Sequence, residues 1–219
     1  MSQTAHDEAG LREQLVAALQ RLDALGLNRG STGNLSHRLG AGMLITPTGM
    51  GADELRASDL VWLGDEGTLR GDWQPSSEWH FHRAIYAARP DLNAVVHTHS
   101  VNATALACLE RGLPAFHYMV AVAGGDNVPC TAYHTFGSEA LSHAVAQALG
   151  ERKACLLAHH GVIAAESSLP RALALAVTVE ELAQQYILSL ALGTPPLLDD
   201  DEIARVLVKF RSYGQQRPN

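Results

Sequence analysis

Apolar positions recur at helical spacing at both ends of the chain and gather into short runs in between. Leu11, Leu15, Leu19, Leu22 and Leu25 are three or four residues apart, which predicts an amphipathic helix over 9–25 that ends at Gly26. The segment 26–36, GLNRGSTGNLS, is rich in Gly, Ser and Asn and reads as a loop. A short apolar strand at 43–46 follows, closed by TPTGMG. Residues 76–88 begin PSSE and continue with aromatic and alanine residues, a good helix start. The apolar run 94–96 leads into HTHS, a short buried strand with histidines at its end. Helices are expected over 100–110 and 138–149, the second stopped by Gly150. A further buried strand at 154–158 ends in HHG, and a long Ala/Leu-rich helix covers 169–191. The last helix, 199–213, opens with three Asp and one Glu, which suit its positive N-terminal dipole. Helices interleaved with strands predict an α/β protein in which helices cover a sheet. With no repeat, linker or low-complexity tract, residues 1–219 read as a single domain; the pattern does not contain the strand order.

Composition narrows the function classes. Hydrophobic residues make up 47% of the chain and charged ones 18%, as in a folded globular protein. No apolar run approaches the roughly 20 residues that cross a bilayer. The opening MSQTAHDEAG has neither a basic start nor an apolar stretch, so a cytoplasmic protein is expected. A net charge of -7 argues against nucleic acid or an acidic membrane surface as partner. A phosphorylated small molecule still fits, because backbone N–H groups and hydroxyls can hold phosphate without Lys or Arg. Cys108, Cys130 and Cys155 form no CxxC pair, so neither a disulfide framework nor a cysteine zinc site is expected.

Histidine is the compositional oddity, with eleven in the chain. In His97-Thr98-His99 two imidazoles project from one face of a strand and can meet one ion. His159-His160 ends another apolar run and precedes Gly161, a residue that permits an unusual turn. Adjacent strand residues point to opposite faces, so one of this pair joins the metal, and spacing does not say which. Three histidines leave a coordination position open for substrate, as in catalytic zinc sites. In PSSEWHFH, Ser76 and Ser77 can cap the helix, and the N–H groups of its first turn form an anion site. Glu78 lies in that turn, where a carboxylate beside a metal can be a ligand or move protons. His80 and His82 are expected to be solvated or at an interface. Gly30-Ser31-Thr32-Gly33-Asn34 and Thr46-Pro47-Thr48-Gly49 offer further N–H groups beside hydroxyls or an amide, and together the three segments suggest a phosphate cradle.

Taken in order, GSTGNLS, ITPTGM, PSSEWHFH, AVVHTHS, HYMVAVAGGDNVPC, TFGS and LLAHHGVIA closely resemble the class II aldolase/adducin family. The resemblance runs from the first helix to KFRSYG at 209–214. It implies an α/β fold with a central, mainly antiparallel sheet, and a homotetramer with active sites between neighbouring subunits. It assigns one Zn2+ per subunit to His97, His99 and His160, with Glu78 touching the metal and serving as acid/base. Substrate phosphate and adjoining oxygens fall to Gly33, Asn34, Thr48, Gly49, Ser76 and Ser77. Tyr118, from a neighbouring subunit, is implied as proton donor to the aldehyde oxygen, with Phe136 and Tyr213 lining the aldehyde side.

The implied activity is reversible cleavage of a ketose 1-phosphate, of the L-fuculose 1-phosphate type, to dihydroxyacetone phosphate and an aldehyde. Lys153 and Lys209 are the only lysines and neither lies in these motifs, which agrees with a metal mechanism over an imine. Relatives in the family act on 5-deoxyribulose or 5-methylthioribulose 1-phosphate, dehydrate the latter, or decarboxylate. The decarboxylating type carries a lysine where Ser77 stands here. A non-catalytic adducin-like module would be expected to lack the four ligands.

Overall fold

The computed structural model describes residues 3–213. Seven strands form one sheet: β1 (Asn34–Arg38), β2 (Gly42–Ile45), β3 (Val61–Gly64), β4 (Leu69–Arg70), β5 (Ala94–Thr98), β6 (Ala154–Leu157) and β7 (Gly161–Glu166). Their spatial order is β4-β3-β2-β1-β5-β7-β6, with every neighbouring pair antiparallel. Among the described residues six α-helices accompany them: α1 (Gln3–Ala24), α2 (Trp79–Ala88), α3 (Val101–Ala107), α4 (Glu139–Leu149), α5 (Leu169–Leu192) and α6 (Asp200–Phe210). The α/β class and the antiparallel central sheet are therefore as expected. No described helix is long and apolar enough to cross a membrane.

Both faces of the sheet are covered. On one, Leu35, Leu44, Val96, Leu156 and Val162 pack with Leu15 and Leu22 of α1, Leu106 of α3 and Val179 of α5. On the other, Ile45, Val61, Val95, Leu157 and Ile163 pack with Phe81 and Ile85 of α2 and Leu141 and Val145 of α4. Covering on both sides explains why β5 reads as an unbroken apolar run instead of alternating. The run then ends in histidine, and the even spacing places His97 on the same side as Val95, toward α2.

Several boundaries differ from the sequence-based expectation. The helix expected over 9–25 begins at Gln3, while the loop expected over 26–36 gives way to β1 at Asn34. β1 reads poorly because Leu35 is flanked by Asn34 and Ser36, polar yet buried. β7 directly follows the HHG turn and was not separated from β6 by its pattern. Helix α2 is not capped by Ser76 or Ser77: its N-cap is Glu78, and no side chain caps it. Ser76 instead organises the preceding turn, its hydroxyl accepting from Glu78 N–H at 3.3 Å and its carbonyl from Trp79 N–H at 3.0 Å. At α4 and α6 the side chains do cap: Ser138 accepts from Leu141 N–H (3.1 Å) and Asp199 from Glu202 N–H (2.7 Å).

Candidate metal centre

One end of the sheet gathers the chemistry. β1 and β5 are registered so that Asn34 lies opposite His97, and β5 and β7 so that Thr98 lies opposite Val162. His159 and His160 lie in the β6–β7 hairpin turn and not on a strand, so alternation between faces does not apply to them. His159 takes the left-handed conformation, φ 54°, and turns toward Glu110, its Nε2 3.3 Å from Oε1. His160 turns inward. Gly161, expected to supply an unusual turn, does not have a positive φ. Its role is clearance: a Cβ there would lie 2.5 Å from the Thr98 carbonyl oxygen, 3.0 Å from His99 Cδ2 and 3.2 Å from His97 Cε1.

Ligand atoms of Glu78, His97, His99 and His160 lie within 4.8 Å of one another, the one such group found among the described residues. His97 Nδ1 is 3.0 Å from the Val162 carbonyl, which carries no proton, so Nδ1–H donates and Nε2 keeps a lone pair. That lone pair faces His99 Nε2 at 2.9 Å and Glu78 Oε2 at 3.2 Å. Glu78 Oε1 lies 3.0 Å from His160 Nε2 but is not aligned for a hydrogen bond, so this buried oxygen has no hydrogen-bond partner. Converging lone pairs and an unsatisfied buried carboxylate oxygen repel one another unless a cation stands between them. Three imidazole nitrogens and a carboxylate are a zinc-type donor set. The described residues thus fit a divalent metal.

Charge in the cluster follows the same logic. Burial alone would raise the Glu78 carboxyl, but electrostatic and hydrogen-bonding interactions with the His97 and His160 rings outweigh it and hold Glu78 well below the usual carboxylate range. Burial, with His97 and His160 nearby, pushes His99 down to about 4, which keeps its imidazole neutral and its lone pair available at neutral pH.

A cleft of about 340 Å³ opens onto the cluster. Gly33, Asn34, Thr48, Gly49, Ser76 and Ser77 line it together with Glu78, His99, His160 and Phe136. Gly33 and Gly49 adopt φ of 72° and 71°, conformations that glycine tolerates best. The loops are tied together, Thr48 N–H donating to Gln74 O (3.1 Å) and Ser76 N–H to Thr46 O (3.0 Å). Tyr133, His134 and His159 also line this cleft. Sequence reasoning passed over them because TAYH has no regular period and His159 was one half of an undecided pair.

Residues 13–187 match the family described as Class II Aldolase and Adducin N-terminal domain. The chain belongs to that family. It is 53% identical over 204 residues to a 5-methylthioribulose-1-phosphate/5-deoxyribulose-1-phosphate aldolase of Rhodospirillum rubrum, covering 93% of this chain and 92% of the relative. It is 51% identical over 205 residues to the L-fuculose phosphate aldolase of Escherichia coli K12, covering 93% and 95%. A solved L-fuculose 1-phosphate aldolase superposes with a TM-score of 0.88 at 38% identity, covering 91% of this chain and 95% of that one. The protein is thus an aldolase of the metal-dependent class.

Two residues that the resemblance assigns to the aldolase's aldehyde side lie elsewhere in the chain. Tyr118 opens a 3₁₀ segment, Tyr118–Ala123, and is 50% exposed. It lines a separate cleft of about 990 Å³ with Phe116, Met119, Phe210 and Tyr213. Tyr213 is 83% exposed, 6.3 Å from the Phe210 ring. No residue lines both this cleft and the metal-side cleft. Phe136, by contrast, reaches the metal-side cleft and is 66% exposed.

The two histidines of α2 divide. His80 stacks on Trp79 at 3.8 Å between ring centroids, outside the cluster. His82, expected to be solvated or at an interface, is 0% exposed. Its ring is held between β1 side chains, Nε2 2.5 Å from Asn34 Oδ1 and Nδ1 2.7 Å from Ser36 Oγ. Local spacing could not reveal this, because both partners are more than 40 positions away in sequence.

Proposed function

We propose that this aldolase is zinc-dependent and reversibly cleaves a ketose 1-phosphate of the L-fuculose 1-phosphate type to dihydroxyacetone phosphate and an aldehyde such as L-lactaldehyde. The observation that carries the reading is the Glu78/His97/His99/His160 cluster at the wall of a cleft lined by hydroxyls and glycine loops. No lysine lines that cleft. Lys153 is engaged with Glu166 at 2.6 Å and Lys209 lines the other cleft, so neither is placed to form an imine there.

In this reading His97, His99 and His160 hold one Zn2+ per subunit, with Glu78 as the further ligand in the resting enzyme. The metal supplies Lewis-acid polarisation of substrate oxygens. Gly33, Thr48, Gly49, Ser76 and Ser77 bind the phosphate through N–H groups and hydroxyls, and Asn34 meets an adjoining oxygen. Cleavage breaks the C3–C4 bond: the C4 hydroxyl loses its proton and becomes the aldehyde, and the bonding pair stays with the three-carbon fragment. Glu78, which would take up a proton from water once substrate displaces it from the metal, delivers that proton to C3, completing dihydroxyacetone phosphate. Tyr118 relays the C4 hydroxyl proton to water as its own O–H is passed on, so one proton leaves and one enters, and the relay runs in reverse in the condensation direction.

Tyr118 does this from a neighbouring subunit, with Tyr213, while Phe136 lines the aldehyde side from the subunit that holds the metal. The separation of the two clefts within one chain supports this arrangement, in which a homotetramer completes each active site. The whole chain, 1–219, works as one domain in the cytoplasm.

A second reading keeps the same residues and changes the aldehyde: cleavage of 5-deoxyribulose or 5-methylthioribulose 1-phosphate. The Rhodospirillum rubrum relative, at 53% identity, favours it as strongly as the Escherichia coli relative favours the first. Cleavage of a panel of ketose 1-phosphates, followed by dihydroxyacetone phosphate release, decides between them. A dehydrated diketone product, with no dihydroxyacetone phosphate, would overturn both in favour of a dehydratase.

A further inference from the structure

A continuous hydrogen-bonded row runs from the metal cluster into the sheet. Asn34 Nδ2 donates to Glu78 Oε2 at 2.9 Å. Asn34 Oδ1 lies 2.5 Å from His82 Nε2, His82 Nδ1 lies 2.7 Å from Ser36 Oγ, and Ser36 Oγ lies 2.8 Å from the Tyr86 hydroxyl. All four side chains behind Glu78 are buried. We propose that His82 is a positioning residue for this aldolase, acting through Asn34 to hold the Glu78 carboxylate in place for proton transfer. The proposal rests on the reading of Glu78 as proton carrier.

The direction of the row follows from its chemistry. A carboxylate oxygen only accepts, so Asn34 must present its amide nitrogen to Glu78 and its oxygen to His82. An amide oxygen also only accepts, so His82 Nε2 must carry hydrogen. A neutral imidazole then has a lone pair at Nδ1, which accepts from the Ser36 hydroxyl, whose oxygen accepts from Tyr86 O–H. Burial pushes His82 down to about 3, with the neighbouring His97 ring adding to the effect, so the ring is neutral at neutral pH. Burial also raises the Tyr86 phenol, which keeps its proton. Every hydrogen in the row points toward Glu78, so each bond polarises the next in one sense.

Geometry limits what else the row could do. His82 touches neither the cleft nor the cluster ligands through a hydrogen bond, so it is not a catalytic residue. Asn34 does line the cleft, and its second amide hydrogen remains free for a substrate oxygen. Without the Nε2–H donor the Asn34 amide can turn over and face Glu78 with its oxygen, which displaces the carboxylate. Substrate binding depends mainly on the separate hydroxyl and glycine loops. The loss therefore falls on turnover and not on KM.

The test uses the zinc-loaded full chain and compares wild type, His82→Leu, His82→Gln and Glu78→Gln. A glutamine amide can place a donor near the Nε2 position, whereas leucine cannot. His82→Leu is expected to lower kcat roughly 10- to 100-fold, the usual cost of losing a partner behind a metal ligand, with KM within about threefold. His82→Gln is expected to recover most of that rate. In parallel, imidazole 15N spectra of wild type should show His82 protonated at Nε2 and not at Nδ1, a readout independent of activity and of variant folding. A wild-type kcat in both His82 variants, or an Nδ1–H tautomer, overturns the positioning role. Undiminished proton exchange of dihydroxyacetone phosphate in Glu78→Gln instead overturns the reading of Glu78, which distinguishes the two failures.

Discussion

Substituting Gly161 by alanine adds one methyl group where β7 leaves the hairpin turn. Its backbone does not have a positive φ, so alanine meets no conformational penalty there and any effect is steric. The new Cβ would sit 2.5 Å from the Thr98 carbonyl oxygen, 3.0 Å from His99 Cδ2 and 3.2 Å from His97 Cε1. Ordinary carbon contacts optimise near 3.5–4.0 Å, so β7 and the end of β5 must part by roughly 1 Å. Two consequences follow from that one displacement. Overpacking between paired strands costs about 1–3 kcal/mol of stability. The rings of His97 and His99 also shift relative to His160, and a ligand set displaced by that much loses about 10- to 100-fold in metal affinity. Thermal or urea unfolding measures the first, and zinc titration of the metal-free protein against a competing chelator measures the second. Gly67→Ala is the control, since Gly67 has φ 86° with nothing within 4 Å of an added Cβ. It should lose about 1 kcal/mol and leave zinc affinity unchanged. Wild-type zinc affinity in Gly161→Ala would refute the clearance argument.

Three further outcomes are expected. His82 is pushed down to about 3 in the folded protein against about 6.5 unfolded, so the unfolded chain binds the extra proton between those values and stability falls as pH drops through that window. Its contribution is complete only well above pH 6.5, and His82 alone should cost metal-free protein roughly 2 kcal/mol between pH 6.5 and 5 by urea unfolding. His99, pushed down to about 4, adds to the loss, and His82→Gln should lose less. Lys153→Met removes the 2.6 Å contact to the buried Glu166 carboxylate and should cost about 1–3 kcal/mol in thermal unfolding. Its kcat should match wild type, and borohydride treatment with substrate should not inactivate either protein. Asp199→Ala deletes the 2.7 Å cap to Glu202 N–H and should cost about 1 kcal/mol, read from the thermal midpoint.

The parts of the fold that were legible in sequence are those whose signal is local. The Leu15–Leu22 periodicity, the Asp199 and Ser138 caps and the apolar run before His97 each sit within a few residues of the feature they specify. His97 and His99 were legible for the same reason, since a two-residue spacing on a strand fixes their common side. β1 escaped because its buried positions are Asn34 and Ser36, polar residues that read as loop. His82 escaped because its burial is justified only by partners 46 and 48 residues away. The pair His159-His160 was undecidable while it was treated as strand. In the turn, φ 54° at His159 sends one ring to Glu110 and leaves the other facing Glu78.

These illegible features are concentrated around the metal cluster for a physical reason. A buried carboxylate that is charged in the resting protein needs polar support from inside the protein, where hydrophobic patterning has no room for it. The chain meets that demand by placing Asn34, Ser36 and His82 in positions that a purely apolar core would fill with Leu or Val. Each is individually costly and becomes affordable only because the next one satisfies it. His97, His99 and Gly161 sit on or beside the paired strands β5 and β7, so the imidazoles move only if the sheet moves. Glu78 sits instead at the end of a short helix with no side-chain cap, where its orientation depends on Asn34 and the cluster itself. In the proposed mechanism the rigid imidazoles would hold the metal, and Glu78, the ligand with the most freedom, is the one that would release it and carry a proton.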